Sequence, residues 1–126
     1  MLKVTMDTVP HTSQPYDTVG ECKFLPDGLL KIDVSEMGNE DYELLVAIHE
    51  AIELWLCRKR GISYESICAF DIEFEKKRPD GDTSEPGDHP DAPYRKEHFF
   101  ATSIERLIAA EMGVDWEEYD KKVNSL

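Results

Sequence analysis

The chain has 126 residues, a length that suits one domain (1–126) with a modest core. Its formal net charge of -13 argues against nucleic-acid backbones and anionic membrane surfaces as partners, since both are held by basic residues. Hydrophobic residues at 40% and charged residues at 33% are globular proportions, which excludes a disordered or membrane-embedded class.

Residues 1–36 read as β-rich. Leu2, Val4 and Met6 alternate with Lys3 and Thr5, the period of a short strand. This opening lacks the apolar core of a signal peptide, and no later run approaches a membrane span, so the expected location is the cytoplasm. A loop follows at Pro10–Pro15. A weak strand from Val19 to Leu25, the turn signal Pro26-Asp27-Gly28 and the alternation of Leu30, Ile32 and Val34 with Lys31, Asp33 and Ser35 together predict a β-hairpin. The expected sheet is small and antiparallel.

Helices are expected over 39–61, 63–78, 93–113 and 115–123. Asn39 suits an N-cap, Glu40, Asp41 and Glu43 suit the positive end of the first helix, and Gly61 suits its stop. From Leu44 to Leu56 that helix is apolar on nearly every side, so it should lie inside the domain. Ser63 caps the second helix, whose apolar residues are Ile67, Phe70, Ile72 and Phe74. In the third, Phe99, Ile104, Leu107 and Ile108 form the expected apolar side. Asp115-Trp116-Glu117-Glu118 reads as a capping box, with Trp116, Tyr119 and Val123 docking the last helix on the body. Trp55, Phe70 and Phe99 are expected in the core.

Between the second and third helices, residues 79–92 form an acidic Pro/Gly loop that cannot build a core. Its plain reading is a solvated connection and its sharper one a lid over a site. The order Asp80-Gly81-Asp82-Thr83-Ser84 lacks the glycine position and closing Glu of a calcium loop. The three cysteines, Cys22, Cys57 and Cys68, are odd in number and lack C-x-x-C spacing, so free thiols are expected.

The chemistry concentrates in His49-Glu50-Ala51-Ile52-Glu53. His49 and Glu53 stand four apart and share a helix face, while Glu50 is turned aside by about 100°. Imidazole and carboxylates inside an apolar run are costly to bury unless satisfied, and a metal ion satisfies them. In that arrangement His49 and Glu53 are ligands, and the intervening Glu50 is placed to activate water as a general base. The plainer alternatives are a hydrogen-bonded core histidine and a buried ion pair of Glu53 with Arg58, Arg95 or Arg106.

A motif helix directly following an edge strand resembles the zincin-type metallopeptidases, in their minimal form, over Leu30 to about Leu56. The stretch Ala92-Pro93-Tyr94, His98, Glu105-Arg106 and the ending Val114-Asp115-Trp116 are also similar to small phage and prophage proteins that carry an H-E-x-x-E helix and are regarded as candidate metallopeptidases. The resemblance implies an α+β zincin-like fold and a metal-dependent hydrolase acting on a peptide or protein. It implies His49 as first ligand, Glu53 as second, Glu50 as general base and a third ligand from a later helix. His98 fills that place, completing a two-His, one-carboxylate set; Glu105 and Asp71 are the alternatives, Asp71 also as a partner orienting a histidine. Glu105 beside Arg106 otherwise reads as an ion-paired structural residue. Tyr94 becomes an oxyanion donor if the loop places it over the site. Zinc is the expected metal. Glu53 in place of the family's second histidine adds a harder oxygen ligand, which admits manganese or iron and puts peptidase activity in doubt. Two other functions fit the same residues: a non-catalytic zincin-like interaction module, and a metal-dependent nucleotide phosphohydrolase. The latter needs a further E-x-x-D pair that the third helix lacks.

Overall fold

The computed structural model describes residues 1–126 as an α+β domain, a three-stranded sheet followed by four helices. The strands are β1 (Lys3–Val9), β2 (Gly20–Phe24) and β3 (Leu29–Ser35). The helices are α1 (Glu40–Lys59), α2 (Tyr64–Lys77), α3 (Arg95–Glu111) and α4 (Trp116–Asn124). None of them is long and apolar enough to cross a membrane. Short 3-10 turns lie at His11–Ser13 and Pro86–Asp88.

The sheet corrects the antiparallel expectation, because it is mixed. The order is β1-β3-β2, with β2 and β3 forming the expected hairpin and β1 running parallel to β3. Gly28, at φ +88°, supplies the left-handed residue that closes the hairpin turn. The parallel pairing follows from the route of residues 10–19, which cross the end of β3. That crossing is pinned on Ser35, fully buried, whose hydroxyl meets His11 Nδ1 at 2.9 Å and accepts from Gln14 Nε2 at 3.1 Å. The Ser35 N–H donates to the Val19 carbonyl, and Glu36 N–H to that of Val9, so both neighbouring strands close on the same point.

The helix starts follow the sequence. Asn39 accepts from the N–H groups of Asp41 and Tyr42, Ser63 from that of Ser66, and Asp115 from that of Glu118. Leu30, Ile32 and Val34 form one buried face of β3, and α1 packs on it and on β2 through Leu45, Val46, Leu54 and Cys57. Val4 and Met6 register beside Leu30 and Ile32 but remain exposed, because the helices do not extend over β1. Cys22, Cys57 and Cys68 are free thiols.

The third helix departs from its expected orientation. Phe99 and Leu107 are exposed, so Phe99 is not a core residue, and the buried side of α3 carries Glu97, His98, Ala101, Glu105 and Ala109. Small alanines let α3 approach α1 closely, and the polar residues enter the interior with partners. Arg60 donates to the buried Glu97 at 3.1 Å, tying the end of α1 to α3. Trp55 and Phe70 are partly buried at the edge of the core, and Ile72 of α2 is exposed.

Leu45 has no exposed surface and sits where α1 meets the sheet. Leu45→Ala removes that packing and leaves a cavity, for an expected loss of about 3 kcal/mol in urea unfolding. The unfolding midpoint should drop while the slope with denaturant stays unchanged.

Candidate metal centre

Four side chains from α1 and α3 meet at the helix interface. His49 and Glu53 are one turn apart on α1, and their Nε2 and Oε2 atoms are 3.0 Å apart. His98 of α3 brings its Nδ1 to 2.8 Å from Glu53 Oε2 and 3.2 Å from His49 Nε2. Glu105, two turns further along α3, meets His49 Nδ1 at 2.8 Å and accepts the Tyr119 hydroxyl at 2.6 Å. All four residues are buried.

These distances sort the sequence candidates. His49, Glu53 and His98 each aim one ligand atom at a common point. Glu105 is not in that set; it holds the opposite nitrogen of His49, the position of a carboxylate that orients a metal-ligating histidine. Arg106 does not pair with it but lies over the Trp116 ring, 4.6 Å from its centroid. Glu53 has no arginine partner either, since Arg58 stacks on Phe24 and Arg95 on Phe99.

Asp71 is neither ligand nor histidine partner. It accepts the hydroxyls of Tyr94 and Tyr16, and the bond that Tyr94 makes with it turns that hydroxyl away from the free role expected of an oxyanion donor. His11 is tied to Ser35, while His89 lies half-exposed against Phe70 and Phe74.

Glu50 lines a cavity of about 250 Å³ together with His49, Glu53, His98, Tyr16, Glu21 and Tyr94. It lies under Gly20 at the start of β2, where a Cβ would stand 2.7 Å from Glu50 Cγ and 2.9 Å from Val46 Cγ1. Gly20 therefore leaves the room in which the Glu50 stem lies.

The sequence offered the acidic loop as a solvated connection or a lid over a site, but it did not single out Glu85 or Asp88. Glu85 Oε2 lies 3.0 Å and Asp88 Oδ1 3.3 Å from His98 Nε2. Between them Gly87 is buried against the ring, where a Cβ would stand 2.3 Å from His98 Cγ. The Tyr119 contact with Glu105 was also missed, although the docking face that carries Tyr119 was legible. No sequence period marks a loop carboxylate, and a tyrosine that docks through its ring gives no sign of where its hydroxyl ends.

The electrostatics follow from this crowding. Burial disfavours charge on both imidazoles, yet Glu105 and Glu53 hold His49 well above its ordinary value, and Glu53 and Glu85 push His98 up to about 10. Burial likewise works against charge on Glu53, but bonds from the two histidines bring it down to about 2. Glu50, with no such partner, is raised well above the carboxylate range by burial and then by the charge of Glu53. Burial raises Asp71 to about 6, against the opposing effect of its tyrosine bonds.

Comparison with family models, with curated proteins and with solved structures finds no match for this chain.

Asp71 yields a pH prediction. Its carboxyl keeps a proton to about pH 6 in the folded protein, against about 3.9 when unfolded. The folded state thus binds more protons between those values, and this stabilisation is complete below pH 4 and is lost as pH rises through 6. Asp71→Asn retains an acceptor for Tyr94 without the ionisation. Its stability relative to the native protein should rise by about 2 kcal/mol between pH 4.5 and 7.5, read by denaturant unfolding at each pH. A constant difference across that range would show that Asp71 does not titrate as described.

Proposed function

We propose that the chain is a zincin-like, metal-dependent hydrolase whose substrate is a peptide. The observation that carries this reading is the convergence of His49 Nε2, Glu53 Oε2 and His98 Nδ1, with the outer nitrogen of each imidazole facing carboxylates. A cation that displaces the inner imidazole protons leaves those on the outer nitrogens in place, and two lone pairs 3.2 Å apart then face one point beside a carboxylate. The three separations, 2.8 to 3.2 Å, are slightly inside the edge of about 3.4 Å expected for a tetrahedral shell with bonds near 2.0–2.1 Å. A small outward movement of the side chains admits the ion.

Two imidazole nitrogens and one carboxylate are a known catalytic zinc shell, and nitrogen ligands disfavour magnesium. That preference supports hydrolysis of an acyl bond over the magnesium-dependent nucleotide chemistry that the acidic residues also suggested. Manganese and iron remain compatible with the donor set. When bound, such a cation supplies Lewis-acid polarisation of a carbonyl and acidifies water.

The chain's own groups provide the rest. Glu50 faces the cavity next to the ligands but outside their set, where it can take a proton from water and return it to a leaving nitrogen. Glu105, braced by Tyr119, fixes the His49 ring through Nδ1. β2 has one unpaired edge and contributes Gly20, Glu21 and Cys22 to the cavity wall. An extended peptide paired on that edge would pass over Glu50, which supports a main-chain substrate.

Metal analysis of the native protein beside His49→Ala and Glu50→Gln tests this reading. His49→Ala should lose the transition metal from this site, whereas Glu50→Gln should keep it and lose peptide hydrolysis by about 10²–10⁴-fold. Full metal content in His49→Ala would show that the cluster is a hydrogen-bonded core and not a ligand set. Unchanged hydrolysis in Glu50→Gln would remove that residue from the reaction.

A further inference from the structure

We infer that Glu85, Asp88 and the Nε2 of His98 form a second divalent-cation site, on the acidic loop and on the far side of the imidazole from Glu53. The two carboxylates come from the Pro86–Asp88 turn and the residue before it. They straddle His98 Nε2 at 3.0 and 3.3 Å, and the three ligand atoms lie within reach of one ion.

The site does not rest on the carboxylates alone. His98 is only 6% exposed, and its Nε2 is the one buried side-chain nitrogen or oxygen in the chain without a hydrogen-bond partner. Both carboxylates are near enough to accept a proton from it, yet neither lies in line to do so. A simple N–H···O bond would place one oxygen on the ring axis. A cation beside the ring takes the Nε2 lone pair and one oxygen from each acid, and the Nε2 proton leaves to solvent. The observed separations are close to the edges of such a shell, about 3.4 Å for bonds near 2.0–2.2 Å.

Charge points the same way. No lysine or arginine lies within ion-pair distance of Glu53, Glu85, Asp88 or Glu105, and their only charged partners are the two imidazoles. Four carboxylates around two histidines leave an excess of negative charge that one cation between His49, Glu53 and His98 offsets only in part. The turn is also built against the ring, because Gly87 leaves no room for a side chain over His98. The loop carboxylates are about half exposed, so this second ion exchanges with solvent more readily than the inner one. The donor set, one nitrogen and two carboxylate oxygens, suits zinc or manganese.

The second site shares His98 with the first but uses the other nitrogen, so with both ions bound the ring has also released its Nε2 proton to solvent and bridges them as an imidazolate; the experiment separates the two sites. Zinc uptake at saturation is measured by equilibrium dialysis and elemental analysis for the native protein, E85Q/D88N and H49A/E53Q. Circular dichroism checks that each variant is folded. E85Q/D88N should bind one equivalent fewer than the native protein, and H49A/E53Q should keep the loop equivalent. Hydrogen exchange across residues 79–92 should slow on adding zinc to the native protein and stay unchanged in E85Q/D88N. Equal uptake by E85Q/D88N and the native protein overturns the proposal. So does a metal-free H49A/E53Q, because the loop carboxylates would then only orient His98 for the inner ion. If H49A/E53Q matches the native protein while E85Q/D88N loses its metal, the loop site stands and the inner site fails.

Discussion

The contact between α1 and α3 is the constraint on which the rest of this molecule depends. Two helices can approach closely only where small residues lie between them, and Ala101 and Ala109 are on the buried side of α3. Into that narrow interface the chain places His49, Glu53, His98 and Glu105. Each buried polar group costs free energy unless it is matched, so the interface is stable only with the partners in register. Tyr119 completes the set from α4. The position of the last helix is thereby coupled, through Glu105, to the ring orientation of His49 on the first helix.

The acidic loop belongs to the same system. Fourteen residues without an apolar core would ordinarily extend into solvent. Here the segment is held at its centre by Gly87 against the His98 ring and at its ends by short bonds, among them Arg78 donating to the Ser84 carbonyl at 2.9 Å. A side chain larger than hydrogen at residue 87 would displace either the turn or the ring. Because Glu85 and Asp88 flank that glycine, loop conformation and His98 geometry cannot vary independently.

Much of this was legible in the residues. The hairpin, the four helices and the N-caps Asn39, Ser63 and Asp115 follow from local rules: alternation, turn chemistry and N-cap preference all act within a few positions. The pairing of His49 with Glu53 follows from helical spacing, while His98 was reached through the resemblance, as the residue completing a two-His, one-carboxylate set. Three features lay outside those rules. β1 pairs in parallel because of a crossover pinned by Ser35, a contact between residues far apart in sequence. The buried side of α3 carries alanine and charge instead of Phe99 and Leu107, because partner chemistry there outweighs hydrophobicity. The part played by Glu85 and Asp88 depends on how an irregular loop folds back, which no period encodes.

Glu53 is where the proposed reading departs most from the zincin pattern, and its surroundings give that departure a physical meaning. A histidine at residue 53 would face two other imidazoles with no anion among the inner ligand atoms. The carboxylate instead sits between two rings and accepts from both, which holds the cluster together before any ion arrives. The same negative charge strengthens cation binding while reducing the ion's power to polarise a carbonyl, so affinity is favoured over Lewis acidity. Glu105 adds to that effect by making His49 a more basic donor. On this reading the substitution shifts the demand for catalytic power onto Glu50. Its freedom within the cavity depends on Gly20, so one hydrogen atom at the start of β2 bears on the chemistry of the helix beneath it.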